Sequence, residues 1–156
     1  MSKFNEETMI TSVITAMKNN INTKITAINA EKNDGLTLNE IDTSAYYFVD
    51  FPGDAPSFDP CVVYRVAITS DDSPMGSSST RIAMGFELIF SDEMEADSDN
   101  SLKRAMRYRR ALKEVIRENI AFQYLGAIKD VPDVPWSARE QHFYSIGIGV
   151  EMVIAN

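Results

Sequence analysis

The single histidine, His142, and the single cysteine, Cys61, are the first places to look for chemistry. A thiol and an imidazole make a nucleophilic dyad when the imidazole can take the thiol proton. Both residues fall in stretches that read as strands, so the dyad requires those strands to be neighbours. A buried small thiol and a half-exposed strand histidine fit the same residues, and this plainer reading is preferred. A zinc site or a histidine-based triad needs partners that one histidine and one isolated thiol do not supply.

Two clusters of charge and one glycine pair remain. Residues 92–99 carry Asp92, Glu93, Glu95, Asp97 and Asp99. They lack the D-x-[DN]-x-[DN]-G spacing of a calcium loop, and they read as a solvated flank of the helix that follows. Gly147-x-Gly149 lies inside a strand and precedes no helix, so it is not a phosphate loop. The stretch after the acids carries Lys103, Arg104, Arg107, Arg109, Arg110, Lys113 and Arg117. One reading makes this a face that meets acidic loops on a neighbouring subunit. Another makes it a solvated helix face with local pairs such as Arg110 to Glu114. Direct DNA binding is a third, disfavoured by the net charge of −8, since affinity for phosphates comes from neutralising them. Trp136 follows Pro135 in a stiff apolar arm and reads as an interface anchor or a cap on the core.

The elements that position these residues follow from periodicity. Ile10, Val13, Ile14, Met17, Ile21, Ile25 and Ile28 mark one stripe of a first helix, with Asn5 as N-cap and Asp34-Gly35 as stop. Asn19-Asn20 is a weak spot within it. Ala45 to Phe51 reads as a short aromatic strand. Residues 52–60, which include Phe58, read as a loop. Cys61 to Thr69 and Arg81 to Phe90 alternate as two strands of a hairpin whose tip is the serine-rich 70–79. A second helix is expected from about Asn100 to Ala121, burying Leu102, Ala105, Met106, Leu112, Val115 and Ile116, with Tyr108 at the edge. Lys103, Arg107, Arg110 and Arg117 are expected on its opposite face. Residues 126–140 read as irregular, and Gln141 to Ala155 as the last strand. The expected fold is one α+β domain over residues 1–156, a mainly antiparallel four-stranded sheet with two helices on one face, in the order α-β-β-β-α-β.

A chain of 156 residues, 44% of them apolar, supports one ordinary core. One cysteine allows no internal disulfide. No apolar run approaches the roughly 20 residues that span a bilayer, so no membrane role is expected. Met1 to Glu7 is polar and acidic, unlike a signal peptide, and the chain is expected to be cytoplasmic at synthesis.

The long amphipathic helix, the aromatic strand with its Pro-Gly loop, the strands CVVYRVAIT and TRIAMGFELIF, the helix RAMRYRRALKEVIREN and a closing strand resemble, in their order, the tail terminator and neck proteins of tailed bacteriophages. The sharpest local likeness is Leu102 to Asn119. The resemblance implies a ring, usually a hexamer, at the head-proximal end of the tail tube. Its partners would be other copies of itself, the tail tube protein, and the head connector or neck proteins. DNA would pass through the lumen without specific binding. The setting would be the virion, after assembly in the host cytoplasm. No catalytic residue and no cofactor come with the family, and sibling roles such as a head-completion stopper or a head–tail joining protein stay open as alternatives. The interface residues expected on this reading are Arg104, Arg107, Arg110, Arg117, Asp92, Glu93, Glu95, Trp136, Pro135 and Phe58. A small-ligand binding module with a pocket beneath the sheet is the rival from another class.

Overall fold

The computed structural model describes residues 6–48, 60–72, 78–92, 98–118, 125–130, 134–138 and 141–155. Helix α1 spans Glu6–Lys32 without a break at Asn19-Asn20. Its buried stripe is Met9, Val13, Ala16, Met17, Ile21, Ile25 and Ile28, while Ile10 and Ile14 are only partly buried. The helix ends where Asn33 and Gly35 take positive φ, 40° and 82°. Such angles suit Asn and Gly and stop helical propagation. The expected N-cap, Asn5, lies outside the described residues.

Past the helix, the chain runs back along α1 as an extended strap, residues 36–41, with Leu38 and Ile41 buried. Two asparagines hold it. Asn29 donates to the Leu38 carbonyl at 3.0 Å and accepts from the Leu38 N–H at 2.8 Å. Asn22 brackets Ile41 in the same way, at 2.8 Å in both directions. The spacing is physical. Seven helical residues rise about 10.5 Å and three extended residues span about 10 Å, so asparagines two turns apart meet strap residues three apart. A side-chain amide thus replaces the ladder partner that these buried backbone groups would otherwise lack.

Strand β1 (Tyr46–Phe48) pairs parallel with β2 (Cys61–Asp72). The other pairings are antiparallel: β2 with β3 (Ser78–Asp92), β3 with β6 (Gln141–Ala155), and β6 with both β4 (Leu125–Asp130) and β5 (Val134–Ala138). The sheet is therefore mixed and six-stranded, with the path β1-β2-β3-β6-β4 and β5 also on β6. The expected sheet is mainly antiparallel with four strands; the observed one has six strands, and one of its pairings, β1 with β2, is parallel. The parallel β1 follows from a connection of about a dozen residues, the length that a parallel crossover needs. The segment read as irregular contains β4 and β5. Its prolines and Gly126 break interior strands, but an edge strand tolerates proline and a bulge accommodates glycine. Pro135 lies in β5, and Gly126 sits at the register shift between Leu125 and Ala127.

Helix α2 (Ser98–Glu118) runs antiparallel to α1. Three ion pairs mark the seam in opposite order along the two helices: Lys24 with Glu118, Glu31 with Arg110, and Asp34 with Arg107. Phe90 of β3 stacks on Tyr108 of α2 with ring centroids 5.1 Å apart. The face of the sheet that carries Ile82, Met84, Phe86 and Leu88 of β3, with Ile146, Ile148, Val150 and Met152 of β6, is buried against this layer. Among the described residues, the α+β class and the two helices stand as expected, and no helix is long and apolar enough to cross a membrane.

Removing either bracket leaves a buried amide and carbonyl without partners. Asn29→Ala is expected to lower unfolding free energy by roughly 1–3 kcal/mol, and Asn22→Ala similarly. Urea unfolding reads this directly. Losses under about 0.5 kcal/mol, the usual range for an indifferent surface change, would show that the strap is held by Leu38 and Ile41 burial alone.

Candidate interaction surfaces

Ala105, Leu112, Val115 and Ile116 of α2 are buried as expected, but tertiary contacts shift the rest of its buried face. The buried residues are Ser101, Ala105, Arg107, Tyr108, Ala111, Leu112, Val115 and Ile116. Leu102 and Met106, expected in the core, are 53% and 60% exposed. Arg107, expected outside, is 7% exposed. The strap explains the rotation. The Tyr108 hydroxyl accepts from the Asn39 N–H at 3.1 Å and donates to the Asn39 carbonyl at 3.0 Å. Arg107 donates to the Leu36 carbonyl at 2.7 Å and to both carboxylate oxygens of Asp34. Two adjacent residues of α2 therefore face the strap, and Leu102 and Met106 turn outward with the opposite side of the helix.

The basic residues divide accordingly. Arg107 and Arg110 are engaged within the chain. Arg110 holds Glu31 through two hydrogen bonds of 2.9 and 2.7 Å and also reaches Glu114 at 2.7 Å. The expected local Arg110–Glu114 pair is thus present. The Arg110 guanidinium keeps the Glu31 carboxyl below its ordinary value, and the side-chain hydrogen bonds from Arg107 hold Asp34 at about 2. Arg104 is half-buried, while Lys103 and Arg117 are exposed. Leu102, Met106, Arg109, Lys113 and Arg117 follow the i, i+4, i+7 rule and make one stripe on the outer face of α2.

Of the other expected interface residues, Asp92 ends β3 opposite His142. Pro135 and Trp136 lie on β5 opposite Tyr144 and Phe143. The side chains of these three, and all of Glu93, Glu95 and Phe58, fall outside the described residues.

The second face of the sheet is covered only at one end, where Cys61, Val63 and Ile89 are buried. Among the described residues, the rest of this face is open. Cross-strand neighbours there are Arg65, Gly85 and Gly149 in one row and Ala67, Ala83 and Glu151 in the next. They line a shallow trough of about 300 Å³. The ion pairs Arg65–Glu87 at 3.2 Å and Arg81–Glu151 at 3.0 Å flank it. A Cβ added to Gly85 meets nothing within 4 Å. Packing among the described residues therefore does not demand glycine there. On the helix-covered side of β1 and β2, Phe48 and Ile68 are 55% and 49% exposed.

Catalytic geometry is not present where it was sought. Cys61 is buried and pairs with Ile89, whereas His142 pairs with Asp92 on the far side of β3. Two strand spacings and three residues of offset separate them by roughly 14 Å, too far for a dyad. Among the described residues no group of three His, Cys, Asp or Glu side chains is placed to hold a metal ion. No protein-family model matches the chain, and no curated protein matches it.

Two consequences can be measured. The folded pKa of Asp34 lies below its ordinary 3.8, at about 2, so its ion pair stabilises fully above the higher value and fades as pH falls through the lower. Asp34→Asn should remove that segment of acid destabilisation from a Tm-against-pH curve, and parallel curves for the two proteins would refute the pairing. Leu102→Ser with Met106→Ser should leave monomer stability within about 0.5 kcal/mol, the range of exposed positions, whereas core positions would cost several times more.

Proposed function

We propose that this chain is a structural subunit that assembles with copies of itself, and that its place is the neck of a tailed phage, as a tail terminator ring joining the tail tube to the head connector. In this reading it performs no catalysis and takes no cofactor. Its partners are its own copies, the tail tube protein and the neck proteins, and DNA passes through the lumen without specific contacts. The order of elements from α1 to α2 and the closing strand supports the family, with β4 and β5 as departures from it. The observation that carries self-assembly is the open half of the sheet, where Gly85 faces Gly149 and Ala67 faces Ala83 across the middle strands.

The reason is energetic. Glycine in a strand interior is unfavourable, because it gains nothing from side-chain packing and loses the most backbone freedom. At Gly85 there is open space for a side chain. The cost is sensible if another backbone or a layer of side chains approaches there in the assembled state. A heterologous contact of this kind, sheet face against a different surface of the next copy, closes into a ring when the rotation allows. The trough is shallow and open to solvent, which suits a protein surface better than an enclosed small molecule.

Light scattering over a concentration series should give a native mass near six copies. A strict monomer would place the head-completion stopper and the binding module level with the ring. Gly85→Val sharpens the test, because it adds β-propensity worth up to about 1 kcal/mol to the folded subunit while filling the trough. It should keep or raise thermal stability and abolish the large species. A variant that assembles like the parent would remove the sheet face from the interface.

A further inference from the structure

The outer face of α2 is the least expected surface on the molecule. It puts two large apolar side chains, Leu102 and Met106, into solvent one turn apart, more than half exposed each. Around them lie Lys103 and Arg117, both exposed, and Arg109 and Lys113, both half-buried. The rest of the chain is acidic, with a net charge of −8. Exposed apolar residues rimmed by one sign of charge mark an interaction site more often than a solvated face.

We infer that this face docks a second copy of the chain, by receiving the acidic connection 92–97 that joins β3 to α2 in its neighbour. The inference rests on the self-assembly reading above and names a contact within it. Charge complementarity selects the occupant. The connection carries Asp92, Glu93, Glu95 and Asp97 around two apolar residues, Met94 and Ala96, of which Met94 is the large one. The receiving face carries cations around an apolar pair. The two surfaces match in both respects: carboxylates meet Lys103 and Arg117, and Met94 meets Leu102 and Met106. Copies with a net charge of −8 repel one another unless they meet where the signs oppose. Arg107 and Arg110 take no part, because Asp34, Glu31 and Glu114 already hold them. A donor surface on one copy and a different receiving surface on the next make the contact heterologous, as ring closure requires.

Charge exchange between copies tests the contact. One variant carries Lys103→Glu with Arg117→Glu, and the other carries Glu93→Lys with Glu95→Lys. Each is checked for an unchanged circular-dichroism spectrum and melting curve, then weighed by light scattering at low salt. Each alone should need at least about tenfold more protein to reach half-assembly, since like charges then oppose across the contact. An equimolar mixture should recover the parental mass, because the reversed acids of one variant meet the reversed bases of the other. The parental oligomer should also weaken as salt rises. If Leu102→Ser with Met106→Ser keeps its melting temperature but loses mass, the apolar half of the contact is supported too. Assembly of both charge variants like the parent overturns this contact and leaves the ring to another surface. Loss in both variants without recovery on mixing overturns it as well. A parental protein that stays monomeric at every concentration overturns both this contact and self-assembly in solution.

Discussion

The strap over residues 36–41 is the constraint on which the arrangement of the helices depends. An extended segment wedged between two helices has no strand beside it, so its buried N–H and C=O groups must find partners or destabilise the fold. Asn22 and Asn29 of α1 satisfy Ile41 and Leu38, and Tyr108 of α2 satisfies Asn39. Arg107 caps the strap at Leu36 and ties in Asp34. Each bracket is reciprocal or multidentate, which fixes direction as well as distance. The strap therefore sets how far apart α1 and α2 sit and which side of α2 turns inward.

Everything electrostatic about the helical layer follows from that rotation. Burying Arg107 is tolerable because its charge is met by Asp34 and Nη1 also donates to the Leu36 carbonyl; a buried charge without such partners would be prohibitive. Glu31 and Glu118 take up Arg110 and Lys24 along the same seam. These outer pairs are exposed and each contributes little on its own. Their effect is to spend much of the segregated charge inside one subunit. What is left on the outer face of α2 is a smaller, more apolar surface than the basic run in the sequence suggests.

The sheet divides in a comparable way. Its helix-covered side is a continuous apolar layer of branched and aromatic residues, the choice that packs well on a pleated surface. Its other side changes character along the strands, from buried Cys61, Val63 and Ile89 to open glycine and alanine flanked by arginine–glutamate pairs. A surface that is small, flat and locally neutral lets a neighbour approach closely without desolvating isolated charge.

The sequence by itself determined the element types that rest on local periodicity. The unbroken alternation from Ile82 to Phe90 and the spacing from Val13 to Ile28 permit little else, because side-chain direction in a strand or helix is set by backbone geometry. The Asp34-Gly35 stop was legible from local turn chemistry, whereas the positive φ at Asn33 was not. Tertiary structure decided what local rules leave open. Leu102 and Met106 fit the helical stripe as well as Tyr108 and Ala111 do, and only the strap, arriving from far along the chain, breaks the tie. The prolines and glycine of 126–138 look like breakers until β6 supplies a partner for an edge. Asn22 and Asn29 look like weak helix formers until Leu38 and Ile41 arrive beside them. In each case the missing information is the identity of a distant backbone group that needs a hydrogen bond, and no pattern within one element can carry it.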